Sequence, residues 1–217
     1  MNIGILGTGS VGNAIGTKLI QLGHTVKMGS RNAAHEKAVV WANNNGSNAS
    51  TGTFEESARF GDLLVLCLNG AATVEAIKMA GISNFTGKTV IDITNPLDFS
   101  AGMPPSLFIG NTDSLGELVQ RTVPEANVVK TLNIVTAEVM VNPGLVHGDI
   151  DMLLCGNDEG AKAKVLQLLK DFGWQHVIDL GGIQSSRYME SFVLLWVNLW
   201  QKFGDPYFGI RFVRKQG

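Results

Sequence analysis

The sequence has few of the residues that hold metal ions. Its 217 residues include two cysteines, Cys67 and Cys155, and four histidines, and no cluster of these has the spacing of a metal site. Each cysteine is flanked by leucine inside a run that predicts a strand, so we interpret both as buried apolar side chains. We therefore expect no metal site.

A large charge excess and a long apolar run are also missing. The formal net charge is −2, so the chain lacks the basic surface that nucleic-acid binding requires. The apolar stretch from Phe192 to Val197 is far shorter than the about 20 residues of a membrane-spanning helix. No signal peptide precedes the first apolar run. These absences predict a cytoplasmic protein whose partners are neither nucleic acids nor membranes.

The most informative stretch that is present lies at the N-terminus. A short apolar run, Asn2 to Leu6, is followed by a glycine-rich turn and then by a helical pattern that ends at Gly23. The order strand, glycine turn, helix is the context in which such a turn binds a dinucleotide pyrophosphate. The alternative is a glycine turn that binds no ligand. The G-x-G-x-x-G turn comprises Gly7, Thr8, Gly9, Ser10, Val11 and Gly12.

The end of the second predicted strand bears on the choice of cofactor. An NAD site usually carries an acid there, to accept from the ribose 2′-hydroxyl. This chain has Ser30 and Arg31, and the first acid is Glu36. Arginine and serine can donate to a 2′-phosphate, and each charge-assisted hydrogen bond contributes roughly 1.5–3 kcal/mol. The pair therefore predicts NADP(H). The alternative is that Arg31 is an ordinary solvated charge.

Strand and helix patterns alternate along the rest of the chain. The apolar run 62–68 predicts a central parallel strand, and 88–93 predicts another. The segment 98–111 has no periodicity, and we interpret it as a loop across the mouth of the site. The pattern predicts an α/β fold with a Rossmann-type, doubly wound, mostly parallel sheet. Residues 1–217 would form one domain, with a dinucleotide-binding core at 1–135 and an α/β extension at 136–217.

The extension ends in a long predicted helix that starts at Ser185 or Ser186 and reaches Phe203. Its aromatic residues recur at spacings of four, four and three, so they share one face. That face is either part of the core or the seam of a homodimer. The aromatic residues are Phe192, Trp196, Trp200 and Phe203.

Several of these motifs together resemble the family of coenzyme F420-dependent NADP oxidoreductases. The matching pieces are the turn from Gly7 to Gly12, Gly23-His24, Gly29-Ser30-Arg31, Thr94-Asn95-Pro96, Cys155 to Asp158, Ile178 to Gly182, Ser186-Arg187, Glu190-Ser191 and Gly209 to Phe212. The resemblance implies a small C-terminal helical part that closes over the nicotinamide, and a homodimer. It also implies hydride transfer between NADP(H) and a flavin-like ring, with no catalytic acid or base from the protein.

The resemblance also assigns site residues by position. Thr8, Ser10 and Val11 would line the pyrophosphate turn, and Ser30, Arg31 and Asn32 would meet the 2′-phosphate. Leu68, Asn69 and Gly70 would run beside the ribose, while Thr94, Asn95 and Pro96 approach the nicotinamide. Asn133 would reach the same pocket. The alternatives are a plain turn at 94–96, since proline extends the residue before it, and simple strand-end capping by Asn133.

The hydride acceptor stays open at the level of sequence. The segment 97–110 matches no acceptor motif, so the acceptor could be F420, FMN, FAD or another small molecule. Two rival functions also remain. One is an NADP-dependent reductase of a small carbonyl or imine, which would need a larger C-terminal helical domain. The other is a non-enzymatic sensor that binds NADP(H) and reports its redox state.

Overall fold

Apolar strands alternate with helices along the chain. The computed structural model describes residues 1–215 and places ten strands in one large and one small sheet. The strands are β1 (Asn2–Leu6), β2 (Thr25–Ser30), β3 (Ala49–Thr53), β4 (Leu63–Leu66), β5 (Thr89–Asp92), β6 (Leu97–Asp98), β7 (Ser106–Leu107), β8 (Asn127–Thr131), β9 (Asp151–Gly156) and β10 (His176–Asp179).

The large sheet has the strand order β10-β9-β8-β5-β4-β1-β2-β3. Every neighbouring pair is parallel except β8 with β9, which is antiparallel. The chain winds outward from β1 to β3 and then returns to β4 on the other side of β1. Such a reversal leaves a crevice outside the carboxyl ends of the central strands, where open α/β sheets bind ligands. The predicted Rossmann-type, mostly parallel sheet is confirmed.

Helices cover both faces of this sheet. On β1, the side chain of Ile5 lies against Gly16, whereas Gly4 lies against Ser57. Consecutive strand residues point to opposite faces, so the helices that carry Gly16 and Ser57 lie on opposite sides. The helices are α1 (Ser10–Gln21), α2 (Glu36–Asn44), α3 (Phe54–Phe60), α4 (Gly70–Ala80), α5 (Leu115–Thr122), α6 (Ala137–Val141), α7 (Glu159–Phe172) and α8 (Ser186–Phe203).

The C-terminal extension continues the same sheet through β9 and β10 and ends in α8. Its helix α8 docks on α5, where Arg187 donates from Nε and Nη2 to the two carboxylate oxygens of Glu117, at 2.8 and 2.6 Å. This bidentate pair and the buried residues Met189 and Val193 hold the helix on the domain. The division at residue 135 stays a prediction.

The aromatic face of α8 is only partly buried. Trp200 is 41% exposed and Phe203 is 57% exposed, while the buried line of the helix runs through Met189, Val193 and Val197. Trp196 stacks on Phe208, with ring centroids 5.3 Å apart and an angle of 18° between the planes. Phe192 packs against the core, whereas the exposure of Trp200 and Phe203 shows that the core alternative does not hold for the whole face.

Three other expectations need correction. The segment 98–111 is not a structureless loop throughout, because its residues Ser106–Leu107 pair with Leu97–Asp98 in a small antiparallel sheet. The pattern from Ala33 to Asn43 predicts the second helix, which in the structure begins three residues later, at Glu36. Of the two cysteines, Cys155 is buried in β9, but Cys67 lies just after β4 and is only half-buried.

No helix within residues 1–215 combines the length and the apolar character needed to cross a membrane.

Candidate functional site

The glycine turn divides into positions that the fold needs and one that it leaves free. Gly7 has a φ of +123°, and a Cβ there would lie 2.1 Å from the Cys67 carbonyl oxygen. A Cβ on Gly12 would lie 2.4 Å from the Gly7 carbonyl oxygen. A Cβ on Gly9, by contrast, would meet no atom within 4 Å. Gly7 and Gly12 therefore shape the turn, whereas Gly9 keeps open the space in front of it.

The start of α1 faces that space with unpaired backbone donors. Gly9 is the N-cap residue and provides no side-chain acceptor, and the first turn of the helix contains no acidic residue. The first amides of a helix lack partners within it, and the helix dipole adds positive charge there. An anion such as a pyrophosphate would satisfy these donors, so the residues present fit a dinucleotide.

The carboxyl end of β2 lies beside this turn, since the Gly7 N–H donates to the Gly29 carbonyl at 3.0 Å. Ser30 is buried, and its hydroxyl donates to the Asn32 carbonyl at 2.5 Å and accepts from the Asn32 N–H at 3.2 Å. Ser30 thus shapes the bend that follows the strand. Arg31 is exposed next to it and makes no ion pair with any residue from 1 to 215. The guanidinium is therefore available to a ligand.

At the other side of the switch point, two segments meet where the nicotinamide is expected. Asn69 caps α4 by accepting from the Ala71 N–H at 3.0 Å. The helix then begins with Gly70, where a Cβ would lie only 2.0 Å from the Asn95 carbonyl oxygen. This close approach needs glycine, and it brings the segment after β4 against the Thr94-Asn95-Pro96 turn after β5.

Asn133 meets the same turn from β8. Its Nδ2 donates to Asn95 Oδ1 at 2.9 Å, and Asn95 Nδ2 donates back to the Asn133 carbonyl at 2.9 Å. The preceding residue, Leu132, has a φ of +62°, a left-handed conformation that costs about 1–2 kcal/mol for a residue with a Cβ. Asn133 Oδ1 is buried without a partner. Asn133 therefore does more than cap a strand, because its side chain and backbone both bind Asn95.

One cavity of about 620 Å³ joins these pieces. It is lined by Ser10 and Val11 from the glycine turn, by Leu68, Asn69 and Gly70, by Thr94 and Asn95, and by Asn133. Trp196 and Trp200 of α8 line the same cavity, with Phe99 and Met103 from the segment after β6. The sequence grouped the two indoles on one helix face, but the periodicity of a single helix does not show which surface that face meets.

The cavity contains little acid–base chemistry. Among its lining residues the only ionisable side chain is Glu138, which is exposed and bonded to Thr136 at 3.3 Å. Across residues 1–215, no three His, Cys, Asp or Glu side chains are placed to hold a metal ion. The groups that the site presents to a ligand are therefore backbone N–H donors, side-chain amides and aromatic rings.

Comparisons with known proteins agree with this geometry. Residues 2–96 match the family described as "NADP oxidoreductase coenzyme F420-dependent". The F420-dependent NADP reductase of Methanocaldococcus jannaschii is 31% identical over 223 aligned positions, which cover 97% of this chain and 97% of that protein.

Solved structures are also similar. A crystal structure from Arthrobacter sp. FB24, suggested to be an F420-dependent NADP reductase, is 43% identical with a TM-score of 0.95, covering 99% of this chain and all of that one. A reductive aminase from Aspergillus terreus is 20% identical with a TM-score of 0.67, covering 94% of this chain and 62% of that one. The second likeness concerns the fold alone.

The different surroundings of the glycines generate a prediction. Gly9→Ala should leave the stability of the free protein nearly unchanged, since its Cβ enters open space at an ordinary backbone φ of −78°. The same Cβ should lower NADPH affinity at least about tenfold, because it occupies the space of the pyrophosphate. Thermal unfolding without ligand and NADPH titration measure the two effects.

Gly7→Ala is the matched comparison. It should destabilise the free protein by about 1–3 kcal/mol or more, since its Cβ meets backbone. Equal NADPH affinity in Gly9→Ala and the native chain would show that no pyrophosphate lies at Gly9.

Proposed function

The chain belongs to the family of coenzyme F420-dependent NADP oxidoreductases, and from this premise we propose that it transfers a hydride directly between NADP(H) and the ring of a deazaflavin. The resemblance expected from the motifs is confirmed, and the chain is an NADP-dependent oxidoreductase. The family and the relatives support F420 as the second cofactor and give no support to FMN or FAD.

The observation that carries the proposal is the shared cavity. The Rossmann segments that we assign to the dinucleotide and the two indoles of α8 line the same space. A nicotinamide at Thr94 and Asn95 would lie on one side, and the indoles of Trp196 and Trp200 would lie on the other. A planar acceptor between them would stack against the nicotinamide, which is the arrangement that ring-to-ring hydride transfer requires.

The indoles suit a large aromatic acceptor. Trp196 and Trp200 have centroids 5.8 Å apart with their planes inclined by 34°. Indole surfaces favour offset stacking with other rings, and the apolar walls exclude water from the transferred hydride. The Trp196 Nε1 is buried without a partner, so we propose that it donates to an oxygen atom of the bound ring.

Hydride transfer itself needs no protein acid or base, and the cavity accordingly presents amides and rings. The protein would position the two rings and exclude water from them. Holding two reactants in a near-attack geometry can lower the activation barrier by about 7–11 kcal/mol. We propose no catalytic residue in the acid–base sense. We propose that NADP(H) is bound by the residues predicted from the sequence, with Arg31 as the 2′-phosphate ligand.

A homodimer, which the resemblance implies, stays a prediction. An exposed apolar surface for it exists on the outer side of α8 and the chain end, where Tyr188 is 73% exposed and Val213 is 90% exposed. Both residues border a groove beside the edge strand β10. An exposed apolar patch at a sheet edge is a favourable place for a second copy of the chain to bind.

Charge reversal at one residue tests the cofactor assignment. Arg31→Glu should weaken NADPH binding at least about tenfold, because it removes charge-assisted hydrogen bonds to the 2′-phosphate and adds repulsion. NADH affinity should change little. Lys78→Glu is the control, since Lys78 is an exposed cation at the far end of α4. Titrations with both nucleotides check this, and equal losses for NADPH and NADH would contradict the assignment.

The acceptor is tested by offering F420, FMN, FAD and riboflavin in parallel and following the loss of NADPH absorbance. We expect turnover with F420. Turnover with flavins alone would make the protein a flavin reductase. Tight NADPH binding without turnover on any of them would favour a carbonyl or imine substrate or a sensor.

Trp200→Ala should raise the KM for F420 about tenfold or more, as stacking on an aromatic side chain contributes about 1–3 kcal/mol. NADPH affinity should not change. The matched control is Phe203→Ala, since Phe203 lies on the same face of α8 but does not line the cavity. Equal KM values in the two variants would show that the acceptor does not stack on Trp200.

A further inference from the structure

The two strands that support the nicotinamide turn each bury one charged side chain. Asp92 ends β5, and Lys130 lies directly beside it on β8 in the parallel register. Both side chains are fully buried in an otherwise apolar layer. Taking charges out of water costs several kcal/mol per ion unless they are paired and hydrogen-bonded. The pair therefore needs a compensating network.

That network places three oxygen atoms around the Lys130 ammonium group. Lys130 Nζ lies 2.9 Å from Asp92 Oδ2, 2.5 Å from the Thr94 carbonyl oxygen and 2.8 Å from Glu190 Oε1. The contacts with Asp92 and Thr94 are hydrogen bonds, and the contact with Glu190 is an ion pair. We call Asp92, Thr94, Lys130 and Glu190 the Lys130 network.

On one side the network determines the conformation of the nicotinamide turn. Asp92 Oδ1 accepts from the Thr94 N–H at 2.9 Å and from the Thr94 hydroxyl at 2.6 Å. With Lys130 bound to its carbonyl oxygen, Thr94 is held through three of its polar atoms. Asn95 follows directly and lines the cavity. The position of the turn therefore depends on Lys130.

On the other side the network holds α8. Glu190 Oε2 accepts from the Leu115 N–H at 2.8 Å, and Oε1 accepts from the Gly116 N–H at 2.9 Å. These are the first amides of α5, where the helix dipole favours a carboxylate. Glu190 lies on the same helix as Trp196 and Trp200. Its contacts therefore set how far along its axis α8 lies, and with that the position of both indoles.

The charges within the network depend on each other. Burial raises the pKa of Glu190, and the Lys130 ammonium opposes this rise. Burial would lower the pKa of Lys130, but the Asp92 and Glu190 carboxylates outweigh it and raise that pKa overall. Lys130 is therefore a permanent cation that links two carboxylates.

We propose that Lys130 is a positioning residue, which joins the Thr94 turn to helix α8 and so sets the separation between the nicotinamide and the acceptor ring. This inference rests on the proposed function. Reacting atoms must approach to about 3–3.5 Å, and a misplacement of 1 Å can reduce the rate on the order of 100-fold. A network that fixes both the Thr94 turn and α8 can keep the two rings within this narrow range of distances.

If the role of Lys130 is purely structural, a different effect of its replacement on hydride transfer is expected. Buried ion networks can often be replaced by uncharged groups without loss of stability. If Lys130 only filled the interior, such a replacement would leave hydride transfer unchanged. If it positions the rings, the folded variant should bind both ligands and still transfer the hydride slowly.

The test compares a triple variant in which the network carries no charge with a double variant that keeps only the Lys130 side chain as an ionisable group. The triple variant Asp92→Asn, Lys130→Met, Glu190→Gln removes the charges and the donor to the Thr94 carbonyl. The double variant Asp92→Asn, Glu190→Gln keeps the lysine donor. We expect the single-turnover hydride rate with saturating NADPH and F420 to fall at least about tenfold in the triple variant relative to the double variant. The KM values and NADPH affinity should change less than about threefold.

Lys162→Met is the matched control. Lys162 is also a buried lysine that bridges two carboxylates, those of Glu159 and Asp179, at 2.7 and 2.8 Å. It does not line the cavity. This variant should lose stability but keep the native hydride rate. A fall in the Lys162→Met rate equal to that of the triple variant would assign the effect to stability alone.

The outcomes separate this inference from the proposed function. If the native enzyme transfers no hydride to F420, the proposed function fails and this inference falls with it. If the native enzyme is active and the folded triple and double variants have the same rate, only the positioning role is overturned. Should the triple variant not fold, Glu190→Gln alone decides, with a reduced rate at unchanged KM expected and a native rate contradicting the role.

Discussion

The fold depends on keeping one buried ammonium group satisfied. Lys130 lies on β8 between β5 and β9, and the three oxygen atoms around its ammonium group come from a neighbouring strand, a turn and a distant helix. Removing Lys130 alone would leave Asp92 and Glu190 buried without a counter-ion, which is strongly unfavourable. The Rossmann core and the C-terminal helix therefore cannot shift independently, and the cavity between them has a defined width.

Around this network, the two halves of the site arise from different physical causes. The dinucleotide half is made of backbone: a glycine turn, free amides at the start of α1 and the close contact of Gly70 with Asn95. The acceptor half is made of side chains, chiefly the indoles of α8. Backbone N–H groups bind the negative charge of a phosphate, whereas aromatic side chains favour stacking with a flat ring. The proposed hydride transfer would take place where the two halves meet.

Local pattern was sufficient to predict the dinucleotide half. The glycine spacing, the strand before it and the Ser30-Arg31 pair all lie within about thirty residues, and the parallel sheet brings the ends of β4 and β5 to the same edge. The acceptor half was not predictable in this way. Packing between distant segments decides which helix faces the cavity and makes β9 pair antiparallel with β8.

The sequence also contains evidence for the Lys130 network, in the form of charged residues within apolar strands. Periodicity alone does not reveal it. Asp92 and Lys130 each interrupt an apolar strand run close to its carboxyl end, with opposite signs. Such a pair indicates neighbouring strands with a shared internal contact, because neither charge is tolerated alone. Glu190 could not be matched to them from sequence, since nothing in the spacing of α8 shows that it meets α5 and β8.

The fate of the transferred hydrogen tests the central claim most directly. NADPH labelled with deuterium at C4 of the nicotinamide, on each face in turn, would be oxidised with F420, and the reduced deazaflavin would be analysed by mass spectrometry. Direct ring-to-ring transfer predicts full retention of the label in the deazaflavin from one face and none from the other. Label that appears in the solvent, or that arrives equally from both faces, would contradict a cavity in which the two rings are held in contact.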